Sequence, residues 1–456
     1  MMDIKKILKA QNDYFETNET KNTKFRKQKL IKLLNTVTKY EDDIMNSLRA
    51  DINKSNFESY ISEIAFFKQE IKYTINNIHK WSKSRRVKTP LFHLFSTSYI
   101  YNEPYGSVLI ISPWNYPFQL LFVPLIGAIA AGNCVVLKTS THTTNTNKYA
   151  KIIIEEVFNK EHVTIISGDD NIGKELTQQK FDYIFFTGSS KVGKIIMKEA
   201  ANNLIPTTLE LGGKSPCIVD FTADIDITAR RIIWGKFLNA GQTCVAPDYI
   251  LVDKTVKAQF IKALIIEIKN MYSNDPINNS EYPRIINKHH MNRLCSLLND
   301  QIILYGGDIN KNNLKISPTL IEVSDIDNII MNDEIFGPIL PIIEVDNLQQ
   351  AINIVKSFPK PLASYLFTTS KENEKIYLKS CSFGGGCIND TIIHLSTPFL
   401  PFGGVGESGY GKYRGKYSFD LFTNKKSVLK KSNILDIRFR YPPFKNKLSI
   451  LKKYMK

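Results

Sequence analysis

The sequence predicts an α/β fold with two doubly wound, parallel-sheet α/β domains and a small β arm. Short apolar strands alternate with helical patterns from residue 103 to about 201, and a second alternation runs from residue 215 to about 387. Such alternation is typical of parallel sheets covered by helices on both faces. These sheets bind ligands beyond the carboxyl ends of their strands, so we expect the functional residues there.

The predicted elements follow one another in a clear order. Residues 20–85 carry apolar residues at three-to-four spacing and predict helices, whereas residues 86–102 are partly aromatic and β-branched and predict an extended ribbon. The first alternating region predicts strands at 108–111, 134–137, 163–166 and 183–187, and helices at 118–131, 145–158, 173–178 and 192–201. The second predicts strands at 216–219, 249–252, 302–305, 319–322, 339–344, 363–367 and 386–388, and helices at 227–237, 255–271, 288–299, 348–356 and 372–379.

Length and composition are those of a globular protein with two or three domains: 456 residues, 43% hydrophobic and 23% charged. The formal net charge of +16 is concentrated near the C-terminus, where residues 425–456 hold eleven lysines or arginines and one acid, Asp436. A solvated basic tail is the simplest interpretation, and contact with an anionic membrane surface is the alternative. Nucleic acid is not an expected partner, because the basic residues belong to no recognisable binding module.

Cysteine spacing and the N-terminus bear on metal binding and compartment. The six cysteines form no Cys-x-x-Cys pair and no Cys/His cluster with zinc spacing, so we expect no metal site and free thiols. The N-terminal residues interleave charges without an apolar core of signal-peptide length, which predicts a cytoplasmic protein. Residues 104–137 carry no charge, but four prolines and three glycines interrupt them. That run predicts a buried strand, turn and helix, not a membrane span.

Cys244 is the candidate nucleophile. It follows Gly241-Gln242-Thr243, just after the predicted helix 227–237 ends. Small residues there let the backbone turn, so that the thiol and its own backbone N–H can face one pocket. The alternative is a buried structural cysteine, which is what a lone cysteine usually is.

Two further residues could complete a site for covalent catalysis. Glu210 lies between two leucines and before Gly212-Gly213, where partial desolvation would raise its pKa towards that of a general base. A helix cap or a solvated turn is the alternative for this carboxylate. Asn115 lies in a turn at the end of a predicted strand, where its amide could hold an oxyanion or simply bond within its own turn.

Other patterns suggest a phosphate-bearing ligand less specifically. Gly188, Ser189 and Gly193 lie in a strand–turn–helix start of the kind that binds phosphate, but their spacing is not that of the standard dinucleotide motif. Lys138 ends a predicted strand and is either a ribose or phosphate contact or a surface lysine. Glu334-Ile-Phe-Gly-Pro338 is unremarkable alone, and the glycine-dense loop 400–409 is either a tight connection or a wall of the site.

Seven runs occur in a characteristic order over residues 20–443. They are Pro-Trp-Asn-Tyr-Pro, Val-Val-Leu-Lys, Phe-Thr-Gly-Ser, Leu-Glu-Leu-Gly-Gly-Lys, Gly-Gln-Thr-Cys, Glu-Ile-Phe-Gly-Pro and Pro-Phe-Gly-Gly-Val-Gly. In this order the chain resembles an aldehyde dehydrogenase, and most closely the class 3 branch that acts on fatty and aromatic aldehydes. The pair Leu-Glu-Leu-Gly-Gly-Lys and Gly-Gln-Thr-Cys is the most specific part of the resemblance.

The resemblance implies oxidation of an aldehyde to a carboxylic acid through a cysteine thiohemiacetal and thioester. Cys244 would be the nucleophile, Glu210 the general base, and Asn115 an oxyanion donor together with the backbone N–H of Cys244. The substrates would be medium- or long-chain aliphatic or aromatic aldehydes. A variant that releases the acyl group to coenzyme A, and a protein that retains the fold without catalysis, are the alternatives; the presence of Glu210 and the intact cysteine, glutamate and asparagine set argue against them.

The resemblance also implies a cofactor, NAD or NADP, and a homodimer. The residues implied in cofactor binding are Lys138, Gly188, Ser189, Gly193, Glu334 and Phe336. Lys138 would contact the adenosine ribose, the turn 188–193 the pyrophosphate, and Glu334 the nicotinamide ribose, with Phe336 packed near it. Residues 1–85 and 103–209 would form the NAD(P)-binding domain, 210–400 the catalytic thiol domain, 86–102 and 410–430 the oligomerisation arm, and 431–456 a basic tail.

One departure from the family pattern concerns the cofactor. The family commonly has Lys-Pro-Ser-Glu where this chain has Lys138-Thr-Ser-Thr141. The missing glutamate usually contacts the adenosine ribose hydroxyls, and its negative charge disfavours a 2′-phosphate. We therefore expect the protein to use both NAD and NADP.

Overall fold

The computed structural model describes residues 3–90, 93, 95–434, 436 and 438–454, and its first domain is built on a six-stranded sheet. The strand order is β17-β7-β6-β3-β4-β5, and every pair is parallel except β17 with β7. The strands are β3 (Ser107–Ile111), β4 (Cys134–Lys138), β5 (Val163–Ile166), β6 (Tyr183–Gly188), β7 (Thr207–Leu211) and β17 (Gly409–Tyr410). The helices between them are α6 (Gln119–Ala131), α7 (Thr144–Val157), α8 (Asp170–Thr177) and α9 (Ser190–Asn202).

Helices cover both faces of this sheet, as its alternating buried side chains require. One face packs against α6 and α7, and the other against α9 and the N-terminal helix α1 (Ile4–Glu16). Outside α6 and α7 lies a further helical layer. It consists of α2 (Thr23–Lys39), α3 (Glu41–Ile52), α4 (Asn56–Ser59), the π-helical turn Tyr60–Ile64 and α5 (Ala65–Ser82).

The second domain is built on a seven-stranded sheet with the order β10-β13-β14-β9-β8-β15-β16. All pairs are parallel except β10 with β13. The strands are β8 (Pro216–Val219), β9 (Tyr249–Asp253), β10 (Ile302–Tyr305), β13 (Thr319–Glu322), β14 (Ile339–Val345), β15 (Ala363–Phe367) and β16 (Gly385–Ile388). The helices are α10 (Ile225–Phe237), α11 (Lys257–Tyr272), α12 (Lys288–Leu297), α13 (Leu348–Ser357) and α14 (Lys371–Ser380), and β11 (Ile309–Asn310) pairs with β12 (Lys315–Ile316).

A three-stranded antiparallel arm joins two distant parts of the chain. It contains β1 (Arg85–Val87), β2 (Ser96–Pro104) and β18 (Thr423–Lys431), with β2 in the middle. The ribbon predicted at 86–102 lies here, although residues 91, 92 and 94 fall outside the described residues. The short helix α15 (Lys416–Leu421) precedes β18, and α16 (Lys447–Tyr454) follows in the basic tail, of which residues 435, 437, 455 and 456 are outside the description.

The structure confirms the α/β class and both parallel sheets and refines several boundaries. Strand β7 ends at Leu211 and belongs to the first sheet, so the predicted domain boundary at 209/210 falls inside a strand. The pattern gave no helix at α1 or α16, both of which are present. The uncharged run 104–137 forms strand β3, the fully buried helix α6 and most of β4. In the described part of the chain, every helix is too short or too polar to cross a membrane.

Candidate active site

A strained loop presents Cys244. Helix α10 ends at Phe237, and then Asn239, Ala240 and Gly241 all adopt positive φ angles, of 53°, 52° and 73°. A Cβ atom at Gly241 would lie 2.3 Å from the carbonyl oxygen of Gly337. Only glycine fits this close approach, which brings the thiol loop against the turn that contains Glu334 and Phe336.

The Cys244 thiol is half-buried and lines an apolar cavity of about 210 Å³. Burial is the main cause that raises the pKa of the thiol to about 12; the negative charges of Glu334 and Glu210 contribute to this rise, and the backbone N–H of Cys244 opposes it. The negative charges of both carboxylates therefore act on the sulfur of Cys244. The cavity walls are mainly aliphatic and aromatic and include Leu120, Trp234, Leu238, Ile392, Leu395 and Phe402.

Asn115 bonds directly to the thiol loop. Its Nδ2 donates to the carbonyl oxygen of Gln242 at 3.0 Å, and the residue is 3% exposed. A primary amide carries two N–H donors, so this bond orients the group and leaves its second donor for a ligand. The next residue, Tyr116, reinforces the contact, because its hydroxyl lies 2.7 Å from Oγ1 of Thr243.

Glu210 lies on β7 and is 3% exposed. Burial raises its pKa well above the ordinary range, against the opposing charges of Lys412 and Arg414. Neither carboxylate oxygen bonds to any residue that the structure describes. A Cβ at Gly403 would lie 2.8 Å from Glu210 Oε1, so the loop 400–409 packs against this carboxylate. A desolvated carboxylate with a raised pKa has the properties of a general base.

Glu334 is the second buried carboxylate of the site. Burial raises its pKa to about 8, and the charge of Asp248 adds to the effect, while the backbone N–H of Gly213 opposes it. Its carboxylate occupies the space beside Gly212, where a Cβ would lie 1.9 Å from Oε2. The ring of Phe336 packs edge-on against Trp114, with centroids 5.4 Å apart.

Two buried residues that the sequence analysis did not single out fix this turn. Lys214 Nζ donates to Asp248 Oδ2 at 2.5 Å, and Asp248 Oδ1 accepts the backbone N–H of Ile335 at 2.9 Å. Both were visible as neighbours of the glutamate and cysteine motifs. The hydrogen bond between Lys214 and Asp248 could not be predicted, because 34 residues separate them and no local pattern links them.

Three of the predicted cofactor residues, Lys138, Gly188 and Ser189, lie at the carboxyl ends of β4 and β6, the same edge of the sheet as Asn115. Lys138 is 6% exposed, and its Nζ donates to the carbonyl oxygens of Thr139 and Gly168 at 2.7 and 2.8 Å. Gly188 ends β6, and Ser189 caps α9, accepting the N–H of Val192 at 3.4 Å. Helix α9 has 13 residues and no acid in its first turn, so its N-terminus suits a pyrophosphate.

Gly193 has a packing role in the structure. A Cβ there would lie 2.8 Å from Leu211 Cδ2, so the missing side chain lets α9 approach β7 closely. Its position in the first turn of α9 still fits a helix that faces a phosphate. Among the described residues, no group of three or more His, Cys, Asp or Glu could hold a metal ion.

Two parallel-sheet domains that bring together a half-buried thiol, an amide donor and a desolvated carboxylate are typical of an α/β enzyme. Residues 1–428 match the profile described as "Aldehyde dehydrogenase family". The chain therefore belongs to the aldehyde dehydrogenase family, which confirms the resemblance predicted from the motifs.

Individual relatives agree over nearly the whole chain. A 4,4'-diaponeurosporen-aldehyde dehydrogenase of Staphylococcus aureus is 46% identical over 445 residues, 97% of each chain. A dimeric NADP-preferring aldehyde dehydrogenase of the dog, Canis lupus familiaris, is 40% identical and covers 97% of this chain and 98% of its own. The substrate-bound structure of Staphylococcus aureus AldH superposes with a TM-score of 0.98 at 45% identity and 100% coverage of both chains, which confirms the two-domain fold.

Proposed function

We propose that the protein oxidises apolar aldehydes to carboxylic acids with NAD or NADP, through a thioester on Cys244. The observation that carries the proposal is that the Cys244 thiol lines an apolar cavity and that Asn115 bonds to the loop of this thiol. Apolar walls favour long aliphatic or aromatic aldehydes over small polar ones. A relative named for 4,4'-diaponeurosporen-aldehyde is consistent with this class.

The first half-reaction forms the thioester. The Cys244 thiol releases its proton to solvent, the thiolate sulfur attacks the carbonyl carbon, and the resulting oxyanion of the thiohemiacetal accepts hydrogen bonds from Asn115 Nδ2 and the backbone N–H of Cys244. NAD or NADP, bound by the residues at the ends of β4 and β6 and by Glu334, would supply the hydride acceptor and a positive charge that favours the thiolate. The carbonyl forms again as the hydride leaves.

The second half-reaction releases the acid. Glu210 takes a proton from water, the water oxygen attacks the thioester carbon, and the carbon–sulfur bond breaks. Burial raises the pKa of Glu210, which makes its carboxylate a stronger base than an exposed one. Transfer of the acyl group to coenzyme A would not need such a base, so cofactor reduction should be independent of coenzyme A.

The test is a panel of aldehydes graded by chain length and aromaticity, followed by cofactor reduction. Activity should rise with apolar length, and Cys244→Ser should abolish it, whereas Cys295→Ser, a half-buried thiol on α12, should leave it unchanged. Glu210→Gln should give one burst of reduced cofactor without turnover. Equal activity of Cys244→Ser and the wild type would contradict the proposal.

Use of both NAD and NADP rests on Thr141, which is exposed and stands where the family commonly has glutamate. The dog relative is named NADP-preferring. The values of kcat/KM for the two cofactors should lie within about tenfold of each other, because no carboxylate at this position repels a 2′-phosphate. Thr141→Glu should selectively lower the value for NADP. A strong NAD preference of the wild type would refute the expectation.

The arm provides the surface for a homodimer. Strand β18 pairs with β2 over nine residues and lies at the edge of its sheet, and an unpaired edge is a template for pairing with another chain. The dog relative is named dimeric. Sedimentation equilibrium should give twice the mass of one chain, and a monomer at micromolar concentration would contradict the proposal.

The basic tail is proposed to bind an anionic membrane surface. Residues Ile434, Phe444 and Leu448 are 93%, 64% and 62% exposed, and five exposed lysines and arginines lie near them between residues 438 and 453. Exposed apolar groups among basic ones suit such a surface. Removal of residues 432–456 leaves β18 intact and should abolish co-sedimentation with phosphatidylserine vesicles. Unchanged binding of the truncated protein would refute the proposal.

A further inference from the structure

Three buried ionisable side chains lie behind the thiol site and take no part in the reaction proposed above. They are Lys54, Glu58 and Glu63, which we call the buried clamp. Lys54 and Glu63 are fully buried, and Glu58 is 9% exposed. None of the three is among the described residues that line the cavity. Burial of ionisable groups costs free energy unless they are paired. The hydrogen-bond partners of the buried clamp therefore identify the segments that it holds in place.

Lys54 and Glu63 hold the segment that carries Asn115. Lys54 Nζ lies 2.7 Å from Glu63 Oε1 and 3.4 Å from the carbonyl oxygen of Asn115. Glu63 Oε2 accepts the backbone N–H groups of Phe118 and Gln119, at 3.0 and 2.9 Å. These two N–H groups open α6, so Glu63 caps that helix and fixes the turn before it.

Glu58 holds the opposite side of the site, the loop that leads to Cys244. Its Oε1 accepts the backbone N–H of Asn239 at 2.8 Å. Asn239 is the first of the residues with positive φ in that loop. Its Nδ2 donates to the carbonyl oxygen of Asn115 at 2.9 Å and to that of Gln242 at 3.3 Å. Asn239 therefore joins the two sides that the clamp holds.

We propose that the buried clamp consists of positioning residues that set the Asn115 amide relative to the Cys244 loop, and hence the geometry of the oxyanion site. The inference rests on the proposed function, because it concerns two donors that act on the aldehyde oxygen. Asn115 accepts bonds from the clamp side through its carbonyl and donates to the thiol loop through its side chain. Displacement of either side would separate the two donors.

Glu58 is the member that best isolates positioning from folding. Its carboxylate accepts the backbone N–H of Asn239. Burial raises the pKa of Glu58 to about 7, and the positive charge of Lys54 opposes this rise. Glu58→Gln retains an acceptor oxygen at the same distance from the backbone. Glu58→Ala removes the acceptor and leaves the Lys54–Glu63 pair in place. The two variants therefore separate the hydrogen bond from the charge.

The experiment measures the hydride-transfer rate constant by stopped-flow with decanal and saturating cofactor. Glu58→Ala should lower it by about 10- to 100-fold, because small misplacement of reacting groups has effects of that size. The dissociation constant of the cofactor should stay within about threefold, since α9 and β4 are untouched. Glu58→Gln should restore most of the rate. A normal rate constant for Glu58→Ala would overturn the proposal.

The matched control is Asp253→Ala. Asp253 is 6% exposed, and its Oδ1 accepts the backbone N–H of Thr255 at 2.9 Å; it is the last residue of β9, whereas Asp248 immediately precedes the strand. The Asp253→Ala variant should be less stable than the wild type but should transfer hydride at the normal rate. If Asp253→Ala lost as much of the hydride-transfer rate as Glu58→Ala does, Glu58 would act only through stability. In an Asn115→Ala background, Glu58→Ala should cost less than it does alone, and full additivity would overturn the proposal.

A second readout is independent of catalysis. The rate at which iodoacetamide alkylates Cys244, followed by peptide mass spectrometry, requires neither aldehyde nor cofactor. Loss of the Glu58 bond loosens the strained loop, so Glu58→Ala should be alkylated at least about fivefold faster. An unchanged alkylation rate in Glu58→Ala would overturn the proposal that the buried clamp positions the Cys244 loop. A wild type that reduces no cofactor with any aldehyde would instead refute the proposed function, while alkylation still decides the clamp.

Discussion

The charge state of Glu210 should be visible in the stability of the whole protein. Burial raises the pKa of this carboxyl well above the ordinary range in the folded chain, whereas in the unfolded chain it is about 4.3. Between these two values the folded state holds a proton that the unfolded state has released. Stability conferred by this group is therefore complete below about pH 4 and is lost as pH rises through the folded-state pKa.

Glu210→Gln removes that dependence, so the variant should gain on the wild type as pH rises. One proton of difference changes the free energy of unfolding by about 1.4 kcal/mol per pH unit. From pH 5 to pH 7 the gap between variant and wild type should therefore shift by up to about 2.7 kcal/mol in favour of the variant. Burial of the glutamine amide changes the free energy of unfolding of the variant by the same amount at every pH, so it does not affect the pH dependence of the difference.

The assay is urea unfolding at pH 5, 6 and 7 for the wild type, Glu210→Gln and Glu161→Gln, the last at an exposed position. The difference between Glu161→Gln and the wild type should change little with pH. If the Glu210→Gln difference were equally flat, the carboxyl would have the same pKa folded and unfolded. The desolvation argument for a general base would then be refuted.

Two other predictions concern the geometry around the thiol. Asn115→Ala should lower kcat by about 10²- to 10³-fold, as expected for loss of one oxyanion donor, and a loss below about threefold, measured by cofactor reduction, would remove it from that role. Gly241→Ala should destabilise the protein by more than the 1–2 kcal/mol or so of a left-handed alanine, because its Cβ would meet the Gly337 carbonyl at 2.3 Å. Gly406→Ala, with φ of 64° and only a lysine side chain within 4 Å, should show the backbone cost alone, and equal losses of melting temperature would contradict the close approach.

The parts of the site that the sequence could predict are those written in short local patterns. The alternation of apolar strands with helices predicted that Asn115 and Lys138 lie at the carboxyl ends of strands. In the structure Asn115 follows the end of β3, and Lys138 is the last residue of β4. The glycines beside Glu210 and Cys244 marked turns, and the φ angle of 73° at Gly241 shows such a turn. In both cases one residue type meets a local backbone requirement, so a single sequence is enough.

The buried clamp could not be predicted, because its contacts join distant parts of the chain. The bond from Asn239 to Glu58 spans 181 residues, and Glu58 lies in a helical segment like any other. Helix α1 was missed for a related reason. Its few apolar residues alternate with lysines, and it is held by tertiary contacts such as the 2.9 Å bond from Gln11 Nε2 to the Val135 carbonyl.

The domain boundary predicted between residues 209 and 210 shows a different limit of prediction from sequence. The family resemblance implied that one domain ends at residue 209 and the next begins at Glu210. However, β7 completes its pairing with β6 through Leu211 before the second domain begins at β8. The carboxylate of Glu210 therefore belongs to the first sheet and the thiol of Cys244 to the second domain, and the proposed reaction takes place between them.

The central claim is that the acyl group is carried by Cys244 and released by Glu210. The most direct test is mass spectrometry of Glu210→Gln after mixing with decanal and oxidised cofactor. We predict one decanoyl group per chain, mapped to the peptide that contains Cys244, appearing together with one equivalent of reduced cofactor. Reduced cofactor without an acylated Cys244, or an acyl group on another residue, would contradict the account.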